Sequence, residues 1–167
     1  SPTAHTEADS NTVPVIKVFD TLVAKGGWIE DSSGLTSYSS ISNQLSTLVS
    51  EGKTEIVLHI DSPGGEVSGL FALTSYMGSL KAQGINLIGV TDGLCASAAY
   101  AIGSACSSLY ATQGSEVGSI GVVAALVDVT KMDAQEGIQY TIVRSKSDKA
   151  LGNPHEPVTD EIVAKLQ

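Results

Sequence analysis

Apolar and polar positions alternate along the chain in blocks that change period several times. Residues 13–22 form a β-branched stretch that reads as a strand, broken by Lys25-Gly26-Gly27 and a Ser- and Gly-rich loop. Ile41, Leu45, Leu48 and Val49 then recur at i, i+4, i+7 and i+8, the apolar face of a helix that Gly52 can end. Residues 55–61 are apolar on both faces except at His59, which predicts a strand covered by helices on both sides. Val67, Leu70, Phe71, Met77 and Leu80 mark a second helix closed at Gly84, and residues 85–90 a second buried strand. Strand, helix, strand at this spacing implies parallel pairing through a right-handed crossover. The Ala- and Ser-rich residues 96–107 predict a helix whose backbone packs closely on its neighbours. Further strands are expected over 120–129 and 139–143, with a short helix between them ending at Gly137. A last helix begins at Thr159, ahead of Asp160 and Glu161. Residues 1–12 have nothing to bury and are expected to be a disordered arm, leaving 13–167 as one domain.

Length supports that count, because 167 residues suffice for one sizeable core and not for two. A hydrophobic content of 42% with 17 glycines and 5% aromatics describes an α/β protein of small side chains. The net charge of -9 argues against nucleic acid as a partner, since phosphate binding needs a basic stripe. Arg144, Lys146 and Lys149 nevertheless fall close together, as a solvated basic turn or as a positioned lysine. No apolar run approaches the roughly 20 residues of a membrane span, and the N-terminus lacks the basic and apolar regions of a signal peptide. The chain starts at Ser1 and ends at Gln167 inside a helical pattern, so it is expected to be an excised piece, truncated at its C-terminus. Cys95 and Cys106 sit in small apolar surroundings and read as buried hydrophobes. No Cys/His cluster has metal-ligand spacing, so neither metal nor organic cofactor is implied.

Two segments carry candidate chemistry. Asp61-Ser62-Pro63-Gly64-Gly65 lies where a buried strand meets a helix, the place at which open α/β sheets bind ligands. Adjacent glycines there admit a substrate close to the backbone, and their amides can face a developing oxyanion; the bland alternative is a Pro-Gly turn. Ser97 stands at a strand-to-helix junction with an exposed hydroxyl, and the Ala98 amide can complete an oxyanion hole with Gly64 or Gly65. Taken alone, such a serine is more often a helix cap. As a nucleophile it needs a base. His5 lies in the arm, His59 inside a strand and His155 in a Pro-rich tail, none with an acidic partner that spacing can place. A lysine with a lowered pKa can serve instead, and Lys149 stands only slightly ahead of Lys146.

Four segments in order, Asp61-Ser-Pro-Gly-Gly65, Cys95-Ala-Ser97-Ala, Gly118-Ser-Ile-Gly-Val122 and Ser147-Asp-Lys149 running to Gly152-Asn-Pro154, resemble the signal peptide peptidase A family of serine peptidases. Within it, the chain is most similar to the capsid-maturation (prohead) proteases of tailed bacteriophages. The resemblance implies an α/β fold of the ClpP/crotonase type, a spiral of repeated ββα units with mainly parallel strands. It also implies a Ser-Lys dyad with Ser97 as nucleophile and Lys149 as general base, Ser119 hydrogen-bonding the lysine, and Gly65 and Ala98 as oxyanion donors. Such enzymes assemble as rings and take peptide or protein substrates with small or apolar residues at the cleavage site. ClpP itself carries a histidine about twenty-five residues after its serine; here that stretch is Gly121-Val122-Val123, against a Ser-His-Asp arrangement.

The expected function is therefore a serine endopeptidase acting on phage scaffold or capsid protein, in the bacterial cytoplasm or inside a prohead. The alternatives are the catalytic domain of a membrane-anchored signal peptide peptidase, a non-catalytic ring-forming module, and a crotonase-like acyl-CoA enzyme, which would have no need for Ser97.

Overall fold

A computed structural model of the chain describes residues 12–25 and 34–166. Of the expected N-terminal arm, residues 1–11 lie outside the described residues, as does most of the loop after Lys25. By its contacts the chain divides into two compact units, one running to Val122 and the other starting at Val123.

The first unit is a parallel sheet with helices packed on one face. Its elements are β1 (Val15–Val23), β2 (Leu35–Ser37), α1 (Tyr38–Ser50), β3 (Glu55–Gly65), α2 (Leu70–Ala82), β4 (Asn86–Thr91), β5 (Leu94–Ala96), α3 (Ala98–Ala105), β6 (Ser108–Ala111) and β7 (Glu116–Gly118). Strand order is β2-β1-β3-β4-β6, while β5 pairs with the end of β3 and with β7. Every pairing is parallel, as the strand-helix-strand spacing predicts.

Burial alternates along the strands. Ile16, Val18 and Leu22 of β1, Ile56, Leu58 and Ile60 of β3, and Leu87 of β4 are buried, and Ile41, Leu45, Leu73, Met77, Leu80, Ala99 and Ile102 of the three helices complete the same core. On the other face Lys17, Val57, His59 and Ile88 remain half-buried or exposed. The expectation of helices on both faces is thus corrected: Val57 sits where a two-layer packing needs no apolar residue. The start of α2 is corrected as well. The helix begins at Leu70, after Gly69 in the left-handed region (φ 84°), so its inward positions are 70, 73, 77 and 80. Phe71 falls one residue out of phase and is 69% exposed, and Val67 precedes the helix.

β3 continues through the glycine segment because β1 keeps pairing with it past a bulge. Register shifts between Phe19 and Thr21, and Thr21 and Leu22 then pair with Gly64 and Gly65. The extra residue lies on β3, where Ser62 and Pro63 stand opposite the single residue Asp20, which adopts φ 60°.

In the second unit, α4 (Thr130–Glu136) ends at Gly137 with φ 69°, as the sequence predicts, and α5 (Asp160–Leu166) follows Thr159, whose hydroxyl accepts the Ile162 amide at 3.4 Å. The strands expected over 120–129 and 139–143 do not form. β-branched residues favour a strand where a partner ladder and a half-buried face exist. Here Val123 and Val143 are 93% and 91% exposed, and among the described residues of this unit only Asp133 is buried.

Candidate active site

Ser97 occupies the junction of β5 and α3 with φ 53° and ψ -121°. This conformation costs an L-residue on the order of 1–3 kcal/mol and persists only where the surroundings over-determine it. Two backbone bonds do so: the Ser97 amide donates to the Gly118 carbonyl at 2.8 Å, and its carbonyl accepts from the Ala101 amide at 3.1 Å. The Ser97 side chain makes no capping bond, which sets aside the reading of a helix-capping serine. Ser97 is half-buried at this strand-to-helix turn.

Gly64 lies directly against this turn. With φ 97°, a Cβ at Gly64 would stand 2.8 Å from Ser97 Cβ, Ala98 N and Ala96 O, so only glycine fits. The Gly64 amide is already committed, donating to Ser62 Oγ at 3.1 Å. The Glu66 amide donates to the Leu22 carbonyl of β1 at 2.9 Å, and because successive amides of a strand point to opposite sides, the Gly65 amide faces away from β1. Ala98 N is the first of the amides that an α-helix leaves without an intrahelical acceptor. Ser119, adopting φ 54°, follows the Gly118 carbonyl that holds Ser97.

Beside Ser97 opens a cleft of about 230 Å³ walled by Val67, Leu70, Phe71, Tyr100, Ile120 and Val122. The out-of-phase Phe71 thus lines an apolar cleft that Ser97 also lines. A larger cleft of about 630 Å³, between β1 and α1, is lined by Ser39, Asn43 and Gln44 and holds none of the candidate residues.

Lys149 belongs to the second unit, in an exposed turn where its amide donates to the Lys146 carbonyl at 3.1 Å. The next residue, Ala150, adopts φ 63°. Asn153 stitches this turn together: Nδ2 donates to the Ala150 carbonyl at 3.3 Å and to Glu156 Oε2 at 2.5 Å, while Oδ1 accepts the His155 amide at 3.0 Å. Glu156 also pairs with Arg144, whose hydrogen bond holds the carboxyl below the usual carboxylate range. Lys165 reaches Asp148 at 2.7 Å and lowers that carboxyl in the same way. Arg144 is therefore paired, while Lys146 and Lys149 are exposed.

Two acidic partners were not legible in the sequence. His59 Nε2 lies 2.7 Å from Asp92 Oδ1, and this hydrogen bond holds Asp92 below its ordinary range. His59 alternates with Leu58 and Ile60, so its ring lies on the sheet face away from the helices, edge-on to Phe19 at 5.0 Å. His155 Nδ1 is 2.9 Å from Asp133 Oδ2, and its ring stacks on Tyr140 at 3.8 Å. The partners are 33 and 22 residues away along the chain, beyond the reach of any local pattern. Among the described residues no group of three His, Cys, Asp or Glu side chains stands ready for a metal ion, and no helix is long and apolar enough to cross a membrane.

The parallel α/β sheet of the first unit has the Clp protease fold, whose family model matches residues 17–117. The chain belongs to peptidase family S49, whose model matches residues 79–167. This accords with the resemblance to the signal peptide peptidase A family carried by the four segments. The chain is 34% identical over 158 residues to the head-tail preconnector protein GP5 of Enterobacteria phage P21, covering 94% of this chain and 31% of that protein. It is 30% identical over 159 residues to the capsid assembly protease C of Escherichia phage lambda, covering 94% and 36%. To the probable protease SohB of Haemophilus influenzae it is 28% identical over 95 residues, covering 57% and 27%. The chain spans about a third of the length of the curated relatives it matches.

Proposed function

We propose that the protein is a serine endopeptidase that cleaves peptide bonds with a Ser97-Lys149 dyad. The neutral amine of Lys149 takes the proton of the Ser97 hydroxyl as Oγ attacks the scissile carbonyl. The Gly65 and Ala98 amides hold the tetrahedral oxyanion. The lysine ammonium then protonates the leaving amine as the C–N bond breaks, and water resolves the acyl-enzyme by the same route. Ser119 hydrogen-bonds the lysine in this scheme. The observation that carries the reading is the uncapped Ser97 in its strained turn, with Gly64 against it. A crotonase-type enzyme needs no serine there.

The small apolar cleft supports substrates with small or apolar side chains at the cleavage site. Two phage relatives with names in head assembly support a scaffold or capsid protein as substrate, in a prohead or the host cytoplasm. A homo-oligomeric ring is the assembly that goes with this fold.

Intact-mass detection of a fluorophosphonate adduct tests the reading. The expected result is one adduct that both Ser97→Ala and Lys149→Ala abolish. An adduct lost in Ser97→Ala and retained in Lys149→Ala moves the base to Lys146 or His155. A protein that takes no adduct up to about pH 9, where an ordinary lysine begins to lose its proton, is the non-catalytic assembly module instead.

A further inference from the structure

The glycine segment beside Ser97 offers two consecutive amides, and one buried side chain separates their roles. Ser62 is fully buried. Its Oγ lies 2.5 Å from the Asp20 carbonyl and 3.1 Å from the Gly64 amide. A hydroxyl has a single proton. Donated to Asp20, it leaves only lone pairs, and those can be filled only by a donor such as the Gly64 N–H.

The Asp20 carbonyl is available because of the bulge. The shift of register between Phe19 and Thr21 takes Asp20 out of the β1–β3 ladder and puts it at φ 60°, where its carbonyl meets Ser62. The bulge, with Ser62 and Pro63 of β3 opposite the single residue Asp20 of β1, therefore fixes the direction of the Ser62 hydroxyl, and the hydroxyl fixes the peptide plane entering Gly64. The ladder resumes with Thr21 opposite Gly64 and continues with Leu22 opposite Gly65, and the Glu66 amide donates to the Leu22 carbonyl, which leaves the Gly65 amide directed away from β1.

We propose that Ser62 is a positioning residue for acyl transfer at Ser97, holding the Gly64 amide out of the oxyanion site so that Gly65 is the glycine whose amide meets the developing charge. The proposal rests on Ser97 being the nucleophile. It assigns Ser62 no contact with substrate. Removing its hydroxyl strands a carbonyl and an amide inside the protein, and the peptide can then rotate to offer either glycine, neither of them held in place.

Amide hydrogen exchange and chemical shifts of Gly64 and Gly65, measured by NMR on the wild-type protein before and after fluorophosphonate modification, test this directly. The Gly64 amide is expected to be protected in both states and to keep its shift. The Gly65 amide is expected to exchange freely at first, then to move downfield and become protected in the adduct. An adduct on Ser97 that shifts the Gly64 amide, or leaves Gly65 unmoved, overturns the assignment while leaving the nucleophile intact. A wild-type protein with no adduct at Ser97 overturns the reading beneath it and this proposal with it.

Labelling kinetics give the second arm. Ser62→Ala is expected to lower the maximal rate of phosphonylation on the order of ten- to a hundredfold, the scale of a small misplacement at a reacting centre. The apparent affinity for the reagent should stay within about twofold, because the lost interaction matters only in the transition state. Ser62→Cys, which keeps the volume and a weak donor, should fall between the two. A folded Ser62→Ala that labels at the wild-type rate, or one that loses only affinity, overturns the positioning role. The wild-type NMR result decides the matter if neither variant folds.

Discussion

The turn that carries Ser97 and the turn that carries Lys149 use the same backbone device on different supports. Each contains an L-residue in the left-handed region, Ser97 itself in one and Ala150 in the other. In the first unit that strain is held against a core of buried aliphatic side chains by backbone bonds and by Gly64 in direct contact. In the second, an exposed turn is held by the side chains of Asn153, Glu156 and Arg144, with Lys165 on Asp148. A strained residue needs surroundings that over-determine it. Packing supplies them in one case, charge and hydrogen bonding in the other, and the two respond to different perturbations.

The same substitution in each unit gives the largest expected contrast. A Cβ at Gly65 would meet the Leu22 carbonyl oxygen at 1.9 Å and its carbon and nitrogen at 2.7 Å. These are backbone atoms of the adjacent strand, so β1 and β3 must part. Gly65→Ala is expected to cost on the order of 3 kcal/mol or more, seen as a fall of roughly 10 °C in Tm. A Cβ at Gly152, with φ 73°, meets Leu126 Cδ2 at 2.9 Å, the free end of a flexible side chain. Gly152→Ala should cost about 1–2 kcal/mol, the left-handed penalty alone. Thermal melts followed by circular dichroism compare the two. Equal losses would mean that the second unit is packed as tightly as the first.

What the sequence disclosed follows the same division. The helix of residues 38–50, the strands centred on Leu58 and Ile88 and the Gly137 stop were legible because each rests on local periodicity or on a residue with special φ. Gly64 and Ser97 were legible for the same reason: a Pro-Gly-Gly segment and a serine at a helix start are local signals. The three- and four-residue strands β2, β5, β6 and β7 were not, being too short to show alternation. The apolar runs at 120–129 and 139–143 misled, since propensity says nothing of whether a partner strand exists. Ser62 was legible only as a motif letter. Its role comes from Asp20, 42 residues earlier, through a bulge that no pattern announces.

Acid should separate the units next. Glu156 is held below its ordinary range by the hydrogen bond from Arg144, and Asp148 by that from Lys165. Carboxyls with folded pKa values below their unfolded ones stabilise fully at neutral pH, and that contribution is lost as pH falls through the folded values. Between about pH 5 and pH 3, amide exchange around Ala150 and Asn153 should accelerate while the amides of β3 stay protected. Asp92 is held low in the first unit too, but its partner His59 lies on the sheet face away from the core helices, so its protonation should leave the Ser97 turn in place. Simultaneous loss of protection in both units would show that the second depends on packing rather than on its ion pairs.

The smallest expected effect is a reaction that fails to occur. Burial pushes the Cys106 thiol up to about 12 and raises that of Cys95, and each thiol donates to a carbonyl of α3, Cys95 to that of Ala99 and Cys106 to that of Ile102, both at 3.6 Å. Only the thiolate is a nucleophile. At about pH 8, a thiol with a pKa near 12 is about one part in ten thousand ionised. Iodoacetamide should therefore modify neither cysteine in the native protein and both in denaturant, as read by intact mass. Cys95 stands two residues before Ser97, so it reports on the serine turn itself. Rapid native alkylation of Cys95 would mean that the turn opens to solvent on the timescale of the reaction, and that packing holds Ser97 no more firmly than hydrogen bonds hold Lys149.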